Sequence, residues 1–142
     1  FSSDVLVEGN TFTACGLREF AHVQIISGSR GVVVRGNTHH ARMNRRTIPL
    51  VGALAGGDGL TAGGRPQQPP TEITVDGNVM HCSVAVHAVG FDGVVGGSIT
   101  GNRVDGPGVV GPGAEAAAAR AFVLRRTRDV RVAGNTLGGR PQ

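Results

Sequence analysis

Tyrosine, tryptophan and lysine are missing from this chain of 142 residues, and phenylalanine occurs only five times. Without Tyr and Trp there is no aromatic platform of the kind that stacks on nucleic-acid bases or sugar faces. With no Lys, all 14 basic residues are Arg, a pattern that reads as compositional bias of the source genome. The formal net charge is +4, yet the Arg residues are spread from Arg18 to Arg140, with the densest clusters at 42–46 and 125–128. A dispersed charge without stacking aromatics does not make a nucleic-acid interface, and none is expected. The two cysteines, Cys15 and Cys82, lack metal-site spacing. They read as free buried thiols, with their redox state left open. No run approaches the roughly 18 apolar residues of a membrane span. The glycines lack the three-residue period of collagen. Neither Met nor a signal peptide is found at Phe1. The chain therefore reads as one domain over 1–142, a mature segment or a piece of something longer.

What is abundant is Gly (24 residues) and Val (20 residues). Hydrophobic content of 39% with 17% charged residues argues against disorder. One short pattern recurs: a β-branched residue, any residue, Gly, Asn. It stands at Val7-Glu8-Gly9-Asn10, Val34-Arg35-Gly36-Asn37, Val75-Asp76-Gly77-Asn78, Ile99-Thr100-Gly101-Asn102 and Val132-Ala133-Gly134-Asn135. The Asn-to-Asn intervals are 27, 41, 24 and 33 residues. Uneven intervals with a floor near one value indicate one structural unit carrying insertions of different length.

Before each Gly-Asn, alternate residues are apolar: Val5 and Val7, Val32 and Val34, Ile73 and Val75, Val130 and Val132, with Gly97 and Ile99 a weaker copy. That period of two predicts a strand with one buried face. Glu8, Arg35, Asp76, Thr100 and Ala133 then face solvent. A short strand follows each Gly-Asn, with Phe12, His39, Met80, Val104 and Leu137 in register. A further strand stands between most copies, at 22–26, 47–51, 83–87 and 120–125. Its columns are Val23, Ile48, Val84, Phe122 and Ile25, Leu50, Val86, Leu124.

Three short parallel strands per turn, stacked turn on turn, predict an all-β fold, a right-handed parallel β-helix of about five coils. The Gly-Asn turn uses glycine's tolerance of left-handed backbone. Its five asparagines, Asn10, Asn37, Asn78, Asn102 and Asn135, are expected to form a structural ladder. Stacked amides can both donate and accept, where Asp would repel itself. Open strand edges and apolar core are expected at both ends, near Phe1 and Gln142.

With this strand pattern and Gly-Asn turn, the chain resembles the pectate-lyase-like superfamily of right-handed parallel β-helix proteins, from Ser3 to Leu137. The resemblance implies a polysaccharide ligand and an extracellular or cell-surface location. It leaves two classes of function open. One is a segment of a polysaccharide lyase or glycosidase. The other is a non-catalytic structural or adhesion solenoid, tailspike-like or a surface repeat.

Two insertions, 52–70 and 106–119, read as loops, with a short helix expected over 114–121. On the outer face of the intervening strand, one column reads Gln24, Pro49, Ala85, Val123 and the next Ile26, Val51, His87, Arg125. His87 and Arg125, with Asp92 in the turn just beyond, are the candidate catalytic residues. An Arg beside a His or carboxylate can bind an acidic sugar and abstract a proton. Gln24 and Arg128 are the candidate substrate-binding residues. His40, His81 and Asp105 each stand three residues after a ladder Asn and would stack, an arrangement able to hold a metal through neutral imidazole. No fourth ligand is evident, and they read as surface residues. His39 reads as a core histidine, and His22 has no obvious partner. Paired aspartates, an Asn-Thr-Asp motif and a Trp-Ile-Asp-His motif, which the resemblance would bring, are absent, so no complete catalytic motif stands here. The ten acids are scattered singly, which assigns no metal site and no cofactor. Calcium is implied by the resemblance alone. Oligomeric state is not legible.

Overall fold

The structure is a computed structural model that describes residues 3–13, 21, 23–41, 50–54, 68–82, 88–105, 121–138 and 140–141. Every named element among them is a strand, and the strands form three sheets. The first sheet orders β1 (Leu6–Glu8), β4 (Val33–Arg35), β7 (Thr71–Asp76), β10 (Val95–Thr100) and β13 (Arg128–Ala133). The second contains β2 (Thr11–Thr13), β5 (Thr38–Ala41), β8 (Val79–Cys82), β11 (Arg103–Asp105) and β14 (Thr136–Leu137). A last strand, β15 (Arg140–Pro141), closes this second sheet by pairing antiparallel with β14. The third holds β3 (Val23–Ile26), β6 (Val51–Leu54), β9 (Val89–Asp92) and β12 (Phe122–Arg125). All other pairings are parallel. The chain visits first, second and third sheet in the same order on each pass. Each strand therefore stacks on its counterpart one pass earlier, a solenoid-like arrangement.

The alternating pattern builds the interior. Val34, Val75 and Ile99 stack on the first sheet and are fully buried. On the second, Phe12, His39, Met80, Val104 and Leu137 lie in one register column, as the sequence predicts. His39, Met80 and Val104 are buried. Each fully buried aliphatic side chain contributes about 1.5–3 kcal/mol. At the edge formed by β1, β2 and β3 the cover thins: Val7, Phe12 and Val23 are only partly buried, and Leu6 is 52% exposed.

The third sheet corrects the sequence register. Its inward columns are Val23, Val51, Val89, Phe122 and Ile25, Ala53, Phe91, Leu124. Ile48, Val84 and Val86 lie outside the described residues, and Leu50 sits just before β6, buried. The reason lies in the turn into the first sheet. Asp92 and Arg125 are register partners, and Gly93 N–H donates to the Arg125 carbonyl at 2.9 Å. This tight turn has the same length on both passes, and it sets which apolar pair faces inward. Gly52, Ala53 and Leu54, assigned to a loop by composition, belong to β6. The helix expected over 114–121 lies outside the described residues except for Ala121, which is buried.

The five glycines before Asn, namely Gly9, Gly36, Gly77, Gly101 and Gly134, have φ of 60–67°. They bend the chain from the first sheet into the second. The Asn that follows each bend is tied to the next. Asn37 Oδ1 accepts from the Asn10 backbone N–H (2.9 Å) and Nδ2 (3.1 Å). Asn78 Oδ1 accepts from the same two groups of Asn37, both at 3.0 Å. Asn102 Oδ1 accepts from Asn78, at 3.0 and 2.9 Å, and Asn135 Oδ1 from Asn102, both at 3.0 Å. The spare amide proton goes to a strand carbonyl: Asn78 to Val34, Asn102 to Val75, Asn135 to Ile99. The Asn-to-Asn bonds all point the same way along the column, and the bonds to strand carbonyls point back to the preceding pass. Aspartate lacks the Nδ2 donors this pattern consumes.

A second column of bends is not visible in the periodicity. Asp4 (φ 53°), Gly31 (65°), Glu72 (55°), Gly96 (74°) and Asp129 (55°) occupy equivalent places at the entry to the first sheet. A left-handed conformation costs a non-glycine residue roughly 1–2 kcal/mol. The stacked backbone bonds, such as Asp4 N–H to Arg30 O and Gly31 N–H to Thr71 O, both 3.0 Å, hold it there. Gly97, next in line, explains the weak copy. A Cβ there would lie 2.1 Å from the Ile73 carbonyl oxygen.

Candidate functional site

The outer face of the third sheet carries the residues singled out by sequence. Gln24 is exposed on β3, and its column continues through Gly52 and Gly90 to Val123. The next column is Ile26, Leu54, Asp92 and Arg125. The sequence register pairs His87 with Arg125; the structure pairs Asp92 with Arg125 instead. His87 itself lies outside the described residues. Three inter-strand steps separate the ends of this four-stranded sheet, so Gln24 and Arg125 stand roughly 14 Å apart across it at about 4.8 Å per step.

Asp92 and Arg125 thus come together, and a residue that the sequence did not single out joins them. Arg126, in left-handed backbone at φ 52°, turns its guanidinium back onto Asp92. Nε and one terminal nitrogen reach Asp92 Oδ1 at 2.8 and 2.7 Å. The signal for Arg126 was its place in a turn equivalent to Gly93. Arg125 and Arg128 are both exposed, and Arg128 opens β13. The strand–turn–strand segment 122–133 carries four Arg and one Asp, so most of the formal +4 lies at this end of the chain. The segment offers exposed guanidinium donors close together in sequence, with one carboxylate already held by Arg126.

A second cluster lies on the outer face of the second sheet. His40, His81 and Asp105 are register partners on β5, β8 and β11, as the sequence spacing predicts. The two imidazoles stack with ring centroids 4.9 Å apart and planes 14° from parallel. His81 Nδ1 lies 3.8 Å from Asp105 Oδ2. Arg103, two residues before Asp105 on the same face, places Nε 2.8 Å from that oxygen. Other carboxylates are likewise engaged on their sheet faces: Glu8 with Arg35 at 2.8 Å, Glu72 with Arg30 at 3.1 Å, and Asp76 with the Thr100 hydroxyl at 2.9 Å. Among the described residues no helix is long and apolar enough to cross a membrane. Compared with family models, curated proteins and solved structures, the chain has no match.

Proposed function

We propose that the chain is a right-handed parallel β-helix of about five coils with an Asn ladder, a segment of a pectate-lyase-like, carbohydrate-active protein acting outside the cell or at its surface. Its handedness follows the general rule that crossover connections between parallel strands are right-handed. In this reading it binds polysaccharide along the outer face of the four-stranded sheet. The observation that carries it is exposed Arg125 at the end of that face, in register with Asp92 of the Asp92–Arg126 ion pair, with Arg128 exposed just past the turn, at the start of β13. Planar guanidinium groups suit carboxylate-bearing sugars, which they meet with paired hydrogen bonds.

Cleavage requires a free base as well as binding groups. Asp92 Oδ1 already accepts two bonds from Arg126, and this favours a second reading, a non-catalytic structural or adhesion solenoid. One set of measurements separates the two. The purified chain is run in affinity gels containing polygalacturonate, alginate or xylan and is assayed for new reducing ends. Retardation by a uronate polymer is expected. Arg125→Ala or Arg128→Ala is expected to weaken it about tenfold, the loss of one charge-assisted hydrogen bond. No retardation in any gel leaves the structural solenoid. Cleavage that persists unchanged in His87→Ala and Arg125→Ala removes those residues from the site.

A further inference from the structure

We propose that His40 and His81 form a two-histidine chelate for a divalent transition-metal ion on the outer face of the second sheet. Asp105 and Arg103 act there as positioning residues. The inference does not depend on the polysaccharide reading, which concerns a different face.

The register places both imidazoles on adjacent parallel strands and on the same side. Their rings already share a direction, with only 14° between the planes. A metal at about 2.0–2.1 Å from each nitrogen needs the two donors closer than the 4.9 Å ring separation. His81 has a side chain 43% exposed, and the His40 side chain is only partly buried. Small side-chain rotations toward each other are therefore open to both.

Asp105 selects the nitrogen that binds. Its carboxylate lies 3.8 Å from His81 Nδ1, short of hydrogen-bond contact. The ring rotation that admits the metal closes this gap, and the proton then held on Nδ1 leaves Nε2 with its lone pair for the ion. Arg103 fixes that carboxylate from the other side at 2.8 Å. The result is a chain of Arg103, Asp105, His81 and His40, in which the charged members cancel. With no net negative field, the ion is chosen by the affinity of imidazole. That favours Cu²⁺, Ni²⁺ and Zn²⁺ and disfavours Ca²⁺ and Mg²⁺, which require several oxygens. Among the described residues no group of three or more His, Cys, Asp and Glu is placed to hold an ion together. The chelate is thus completed by solvent.

The test is titration of the whole chain with Zn²⁺, Ni²⁺ and Cu²⁺ by calorimetry at neutral pH, with Ca²⁺ as control. One ion per chain is expected, tightest for Cu²⁺ and absent for Ca²⁺. His40→Ala and His81→Ala are each expected to abolish binding, whereas His87→Ala leaves it unchanged. Asp105→Asn is expected to weaken it 10–100-fold. In the metal-free chain, ¹⁵N spectra of the His81 ring are expected to show the Nδ1–H form, and Asp105→Asn to shift that balance. A purely structural carboxylate would leave it unmoved. Circular dichroism establishes that each variant is folded. Failure of the folded wild type to bind any of the three ions overturns the proposal. So does undiminished binding by His40→Ala or His81→Ala. Undiminished binding by Asp105→Asn with an unaltered ring spectrum overturns the positioning role.

Discussion

Removing the side chain of Asn78 tests how much of the stability resides in the column of amides. Asn78 is fully buried, and its side chain serves four groups. Oδ1 accepts from Asn37 N–H and Nδ2, while Nδ2 donates to the Val34 carbonyl and to Asn102 Oδ1. In Asn78→Ala, Asn37 Nδ2 keeps the Val7 and Arg35 carbonyls, and Asn102 Oδ1 keeps the Asn78 backbone N–H. The Asn37 N–H and the Val34 carbonyl lose the bonds that Asn78 supplied. The carbonyl keeps its place in the β4–β7 ladder, so only the N–H is orphaned. At roughly 1–3 kcal/mol for the orphaned donor and about 1 kcal/mol for the lost second bond, the variant loses about 3 kcal/mol. With a urea dependence of about 2 kcal/mol per molar, the denaturation midpoint falls by about 1.5 M. Asn10 is the internal control. It is exposed, and Asn10→Ala still leaves its backbone N–H on Asn37 Oδ1. That variant loses about 1 kcal/mol or less. Asn78→Asp separates acceptor from donor. It keeps the oxygen that serves Asn37 and turns a second oxygen onto Val34 O and Asn102 Oδ1. Only the neutral acid can donate there, so burial and these acceptors push the carboxyl upward in the folded chain. Its folded pKa then exceeds the unfolded value of about 3.9. Stability is fully present below that value and is lost as pH rises through the folded one. Urea titrations followed by circular dichroism from pH 4 to 8 read all three variants. Equal losses at Asn10 and Asn78, or an Asp variant matching wild type at neutral pH, would refute the reasoning.

Two further predictions concern backbone and register. Gly97→Ala is expected to cost roughly 3–5 kcal/mol from overpacking and left-handed strain, because its Cβ meets the Ile73 carbonyl oxygen at 2.1 Å with φ at 135°. Gly77→Asn, with nothing within 4 Å and φ at 61°, is expected to cost about 1 kcal/mol or less; similar thermal melts for the two would contradict the close contact. Asp92→Cys with Arg125→Cys, in a background with Cys15 and Cys82 changed to Ser, is expected to oxidise to an intramolecular disulfide. Adjacent strands place their Cα atoms within about 4.4–6.8 Å. Mass spectrometry of the oxidised chain reads the link, and its absence under conditions that preserve the fold would return the sheet to another register.

The sequence by itself determined the first two sheets. Gly-Asn is a turn of constant length, so the alternation before it and after it is locked to the Asn. Val34, Val75 and Ile99, and then His39, Met80 and Val104, could be aligned without coordinates. The same lock placed His40, His81 and Asp105 in one column. The third sheet was not legible in this way. Its strands follow connections of unequal length, and Val84-Val86 satisfies a period of two as well as Val89-Phe91 does. Only the short turn from Asp92 to Val95, matched by that from Arg125 to Arg128, decides which pair faces inward. The tertiary structure alone put Asp92 in register with Arg125, and it alone brought Arg126 and Arg103 onto their carboxylates. It alone revealed the bends at Asp4, Glu72 and Asp129. A left-handed Asp or Glu leaves no periodic mark in a sequence, because the stacking of one pass on the next holds it there.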